Sequence, residues 1–129
     1  METKNSNVLD FPALRDPRYP IYKAADQLEP YLRTIVETIH PDKIILFGSY
    51  AYGQPDEHSD FDLLVVRRGI ESSKASNIEI RRAIRHVNAP PASFTFLSRT
   101  PEEVQSKLNE GSPIYEDIVE KGLVLYAAA

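Results

Sequence analysis

The sequence predicts an α/β domain built on one small mixed β-sheet, and three observations lead to it. Short apolar runs at Lys43–Phe47, Asp60–Val66 and Leu123–Tyr126 have the length and β-branched content of buried strands, and "ASFTFLS" adds a fourth. Stretches with apolar residues at helical spacing lie between and around them. Two helices open on clear start signals, "TPEE" at Thr100–Glu103 and "SP" at Ser112–Pro113. At 129 residues the chain reads as one layered domain. A chain of this size buries roughly two-thirds of its unfolded surface.

The elements follow in order. Residues 1–20 carry Pro12, Pro17 and Pro20 among scattered polar residues and are expected to form a flexible N-terminal arm, leaving 21–129 as the domain. Leu28, Leu32, Ile35, Val36 and Ile39 recur at helical spacing, with Pro30 expected in the first turn and His40–Pro41 closing the helix. The strand "KIILF" ends at Gly48, and about one turn of helix and a polar loop, Gln54–Ser59, lead into the strand "DFDLLVV". A helix is predicted over about 71–87, with Ile80, Ile84 and Val87 on one stripe and Arg81, Arg82 and Arg85 pointing elsewhere. Two prolines precede the third strand. Thr100 then caps one helix, Ser112 opens another, Gly122 ends it, and "LVLY" is the final strand.

Composition narrows the function. A net charge of −4 argues against a dedicated nucleic-acid binder, which would show a basic face, so no direct nucleic-acid binding is expected. It leaves room for a small anion held with a divalent cation. The absence of cysteine removes disulfides and thiolate metal sites. No run approaches the ~18 apolar residues of a membrane span, and the first residues have no apolar core of a signal peptide. A soluble, cytoplasmic protein without a membrane partner is expected.

The densest chemical signal is "FGSYAYGQPDEHSDFDLLVV", Phe47–Val66. Residues two apart in a strand share a face, so Asp60 and Asp62 project together at the mouth of an apolar strand. Two carboxylates held together repel, and burial worsens the repulsion. A divalent cation resolves it, and Mg²⁺ takes one or two carboxylates with substrate phosphates and water. Gly48 and Ser49 follow a strand and open a helical turn, where backbone N–H groups and a hydroxyl suit phosphate oxygens. A Gly-Ser pair alone is an ordinary turn, and an Asp-x-Asp alone is often two solvated acids. The ordered combination is far more restrictive. It describes a site for a metal-chelated nucleoside triphosphate.

These residues carry a resemblance. "GSYAYGQPDEHSDFDLLVV" is similar to the signature of the minimal nucleotidyltransferases (MNT) of the DNA polymerase β-like superfamily, a Gly-Ser-x-Ala-x-Gly, a short loop and then Ser-Asp-x-Asp-Leu. "HPDKIILFGSYAYG", "TPEEV" and "IYEDIVEKGLVLY" also sit where such domains place similar segments. The resemblance implies the minimal nucleotidyltransferase fold, a small mixed sheet flanked by helices. It implies nucleotide binding by Gly48 and Ser49, catalytic and Mg²⁺-ligating roles for Asp60 and Asp62, and ATP as substrate. The acceptor hydroxyl would attack the α-phosphate and expel pyrophosphate.

The pattern departs from that family at one place. Active members usually carry a third carboxylate on the next strand, and that position falls on Thr95, or on Ser93 in a slipped alignment. Neither is acidic. Asp56 and Glu57 are the nearest spare acids. A second departure is Tyr52, where many relatives have arginine. His58 reads as a solvated loop residue because Mg²⁺ prefers oxygen ligands. "RRAIRH", Arg81–His86, fits the arginine, four residues, histidine pattern of HEPN ribonucleases, but it lies between strands and is read as a solvated or partner-facing basic face.

A domain of this size is expected to act on something that brings its own binding surface. That agrees with a resemblance to the MNT antitoxins of HEPN/MNT toxin–antitoxin pairs, which bind a HEPN-domain toxin and can transfer AMP from ATP to a toxin tyrosine. Two alternatives stay open: a weak or inactive domain that neutralises its partner by binding, and a transferase acting on another protein or a small molecule.

Overall fold

In the computed structural model, which describes residues 9–129, five helices and four strands form in the predicted order. Strand β1 (Lys43–Phe47) is central, antiparallel to both β2 (Phe61–Val66) and β4 (Leu123–Ala127). Strand β3 (Phe94–Arg99) runs parallel to β2, which makes the sheet mixed, in the order β3-β2-β1-β4. The antiparallel β1–β2 pair needs only a short connection, here the four-residue helix α2 (Ser49–Tyr52) and the polar loop. The parallel β2–β3 pair needs a crossover, supplied by helix α3 (Ser73–Ile84).

Strand alternation divides the apolar side chains between two faces. On one face, Ile44, Leu46, Leu63, Val65, Phe94 and Phe96 pack with helix α1 (Ala25–Ile39) and with Ile80 and Ile84 of α3. On the other, Ile45, Leu64 and Val66 pack with Ile118 of helix α5 (Pro113–Lys121), flanked by Phe47, Leu97 and Val104. Val104 belongs to helix α4 (Pro101–Asn109), whose start is the capping box read from the sequence. Thr100 Oγ1 accepts from the Glu103 N–H at 3.1 Å, and the Thr100 N–H donates to Glu103 Oε1 at 2.9 Å. Asp62 shares its face with Leu64 and Val66, so the smaller cluster forms the floor leading to the carboxylates.

Three expectations need correction or completion. The arm expected over 1–20 falls partly on residues 1–8, which lie outside the described residues. Over 9–20 the chain is folded onto the core: Phe11 and Leu14 are buried, and short 3₁₀ turns form at Pro12–Arg15 and Pro20–Ala24. The prolines fit these turns at their first positions, where no N–H is needed. Pro30 lies inside α1 rather than in its first turn. The helix begins earlier because Ala25 and Leu28 are buried against the core, and that packing outweighs one missing backbone bond. The third concerns Arg81, which is not simply solvated. Its guanidinium stacks 5.0 Å from the Phe96 ring centroid and donates to the Phe94 carbonyl at 3.1 Å.

His40 ends α1 in the left-handed conformation, φ 53°, with its N–H donating to the Val36 carbonyl at 3.1 Å. No described helix is long and apolar enough to cross a membrane.

Candidate active site

Gly48 links β1 to α2 with φ 75° and ψ −155°, a backbone region essentially confined to glycine. The turn is held by the Gly48 carbonyl, which accepts from the N–H groups of Ala51 at 3.0 Å and Tyr52 at 3.1 Å. Ser49 is the first residue of α2, so its N–H is among those with no intrahelical partner. The sharp turn brings the bare Gly48 α-carbon against β2. A β-carbon built there would collide with Asp62 Oδ2 and lie 3.1 Å from Asp62 Cγ.

Register accounts for this meeting. Phe47, the last residue of β1, pairs with Asp62, so the residue after it turns away over the Asp62 side chain. Asp60 precedes β2 and is exposed, whereas Asp62 is half-buried. On the opposite edge of β2, Asp62 pairs with Thr95 of β3. The Thr95 hydroxyl donates to Asp60 Oδ2 at 3.5 Å, the long limit of such a bond. The structure thus gathers Gly48, Asp60 and Asp62 at one end of the sheet, with Ser49 directly after Gly48. The position beside both acids is Thr95 rather than Ser93, whose carbonyl instead accepts from the Phe61 N–H at 2.9 Å.

The electrostatics follow from the crowding. Burial raises the Asp62 pKa above its ordinary value; the Thr95 hydroxyl opposes the shift and the Asp60 charge adds to it. A carboxylate disfavoured in its ionised form gains from a nearby cation. Two acids in this arrangement fit one hard divalent ion, which accepts one or two carboxylates and fills its other positions with phosphate oxygens and water. Among the described residues no group of three or more His, Cys, Asp or Glu side chains is placed to hold a metal.

The spare acids of the loop are engaged elsewhere. Asp56 Oδ1 accepts from the His58 N–H at 2.8 Å and from the Ser59 hydroxyl at 3.3 Å, which turns it back into its own loop. Glu57 and His58 lie exposed beside each other.

One feature of the surroundings was not legible in the sequence. A cleft of about 540 Å³, lined by Ser59, Tyr50, Gln27 and Ser93 among others, opens on the Phe61 face of β2, the face opposite to Asp62. Its wall is held by the Gln27 side-chain amide, which donates to the Pro91 carbonyl at 3.0 Å across 64 positions of sequence. No local pattern announces such a contact. Tyr50 packs its ring on Phe61, 4.6 Å between centroids, while Tyr52 is exposed. Chemically, the arrangement offers a close backbone turn for phosphate oxygens and an acid pair for a cation.

A family model described as "Nucleotidyltransferase domain" matches residues 27–124, a span that contains Gly48, Ser49, Asp60, Asp62 and Thr95. No curated protein matches the chain.

Proposed function

The chain belongs to the nucleotidyltransferase domain family, and from that premise we propose that Gly48, Ser49, Asp60 and Asp62 form a site that transfers a nucleotidyl group from a nucleoside triphosphate to a hydroxyl acceptor. The observation that carries this reading is the seating of the Asp62 carboxylate against Gly48. The Gly48 turn and the acid pair thus lie against each other.

In this reading Gly48 and Ser49 hold the β- and γ-phosphates, and Asp60 and Asp62 hold Mg²⁺. A cation held there would supply charge neutralisation at the phosphates. The acceptor oxygen forms a bond to the α-phosphorus as the bond to pyrophosphate breaks. The hydroxyl proton passes to solvent, because Thr95 is no base.

That last feature favours a phenol over an aliphatic alcohol as acceptor, since a tyrosine ionises near about 10. It agrees with the finer reading that rests on the resemblance of the Gly48–Asp62 segment to the MNT antitoxins. There the donor is ATP, the acceptor is a tyrosine of a HEPN-domain toxin, and transfer of AMP silences the toxin.

A second reading is favoured by the same neutral Thr95: the domain neutralises its partner by binding, with little or no transfer. Purified protein, Mg-ATP and a candidate HEPN partner separate the two. Added AMP mass on a partner tyrosine, lost in Asp60→Asn, supports transfer. Unmodified partner that is still inhibited, by wild type and Asp60→Asn alike, overturns it.

A further inference from the structure

We propose that this site holds one divalent cation rather than a pair, with Asp60 and Asp62 as its anionic ligands and the neutral Thr95 side chain excluding a second ion. The inference rests on the nucleotidyl-transfer reading and specifies the metal chemistry that reading uses.

Paired cations that clamp a transferring phosphoryl group sit about 3.5–4 Å apart. Two dipositive charges at that separation repel strongly in a partly desolvated site, so the protein must supply enough negative charge between them. The register decides what it supplies here. Asp62 pairs with Thr95 across β2 and β3, and the Thr95 hydroxyl reaches Asp60 at 3.5 Å. Thr95 therefore occupies the flank of the acid pair on the β3 side. It brings a hydroxyl of no net charge.

Among the described residues no other acid fills the gap. Asp56 is turned into its loop by the His58 N–H and the Ser59 hydroxyl. Glu57 is exposed beside His58, 4.0 Å away. Among the described residues no third His, Cys, Asp or Glu joins the pair in a metal-holding group.

Charge then sets the count. Two carboxylates balance one dipositive ion, and a second would leave two positive charges unmatched by protein. A bound triphosphate adds negative charge on the Gly48–Ser49 side, where its β- and γ-phosphates sit. Thr95 lies on the far side of β2 from that turn, in β3. The cation thus serves the triphosphate, and the acceptor hydroxyl goes without a metal of its own.

The test counts ions and does not depend on turnover. Mn²⁺, visible by electron paramagnetic resonance, is titrated into the chain saturated with a non-hydrolysable ATP analogue, and bound nucleotide is counted in parallel. Wild type is expected to bind one Mn²⁺ and one nucleotide. Thr95→Asp, with Thr95→Glu as a second variant should the first fail to fold, is expected to bind two Mn²⁺ and still one nucleotide. One nucleotide with two Mn²⁺ in wild type overturns the inference and leaves the proposed function standing, whereas one nucleotide with no Mn²⁺ overturns both. A folded acidic variant that stays at one Mn²⁺ also overturns it. Absence of bound nucleotide overturns the proposed function and, with it, the inference.

Discussion

Asp62 rests against the bare α-carbon of Gly48: a β-carbon added there would collide with its Oδ2. Glycine is required twice over, by the backbone conformation and by this contact. Gly48→Ala is therefore expected to lower stability by about 1–3 kcal/mol from backbone strain. It should also weaken nucleotide binding by roughly tenfold or more, because the displaced carboxylate and the altered turn form the same site. Urea melts and equilibrium nucleotide binding check both parts. Unchanged affinity in a folded Gly48→Ala protein would separate the turn from the site.

Asp62 predicts a pH dependence whose sign can be worked out. Its folded pKa is raised above the ordinary 3.8, chiefly by burial. The folded state thus holds the proton more tightly than the unfolded chain. The stability it contributes is present below about the unfolded value and is lost as pH rises through the raised folded value. In chelator, Asp62→Asn should melt higher than wild type near neutral pH, and the difference should vanish in acid. Excess Mg²⁺ should raise the melting temperature of wild type and leave that of Asp62→Asn nearly unmoved. Thermal melts from acid to neutral pH, with and without Mg²⁺, read the whole pattern. A wild type more stable than Asp62→Asn in chelator at neutral pH would contradict it.

The Thr100 cap separates fold from site. Its hydroxyl accepts from the Glu103 N–H at the start of α4, at the β3 end opposite to Phe94 and Thr95. Thr100→Ala should cost about 1 kcal/mol. Nucleotide affinity should not change, which denaturant melts and binding measured side by side will show.

Much of the fold was legible because its signals are local. "KIILF" is apolar and β-branched, and it forms β1 with the predicted ends. "TPEE" carries its capping box in four consecutive residues. The packing of Phe11 and Leu14 was not legible, since three nearby prolines read as a breaker-rich arm while the burying partners lie elsewhere in the chain. Pro30 was placed in a first turn by local preference, and the core drew the helix start back to Ala25. In the site, the spacing of Gly48, Ser49, Asp60 and Asp62 showed in sequence because a short antiparallel connection joins them. Contacts that depend on β3 did not show. The choice between Thr95 and Ser93 waited on the register with β2, and the Gln27 contact with Pro91 has no sequence signal at all.

Nucleotidyl transfer at the acid pair is the step on which the proposed function rests. The most direct test supplies Mg²⁺, a candidate HEPN partner and ATP labelled in either its α- or its γ-phosphate. α-Label is expected to enter the partner with release of pyrophosphate, γ-label never to do so, and Asp60→Asn to abolish the transfer while remaining folded. Incorporation of γ-label, or α-label transfer that persists in Asp60→Asn, would contradict it.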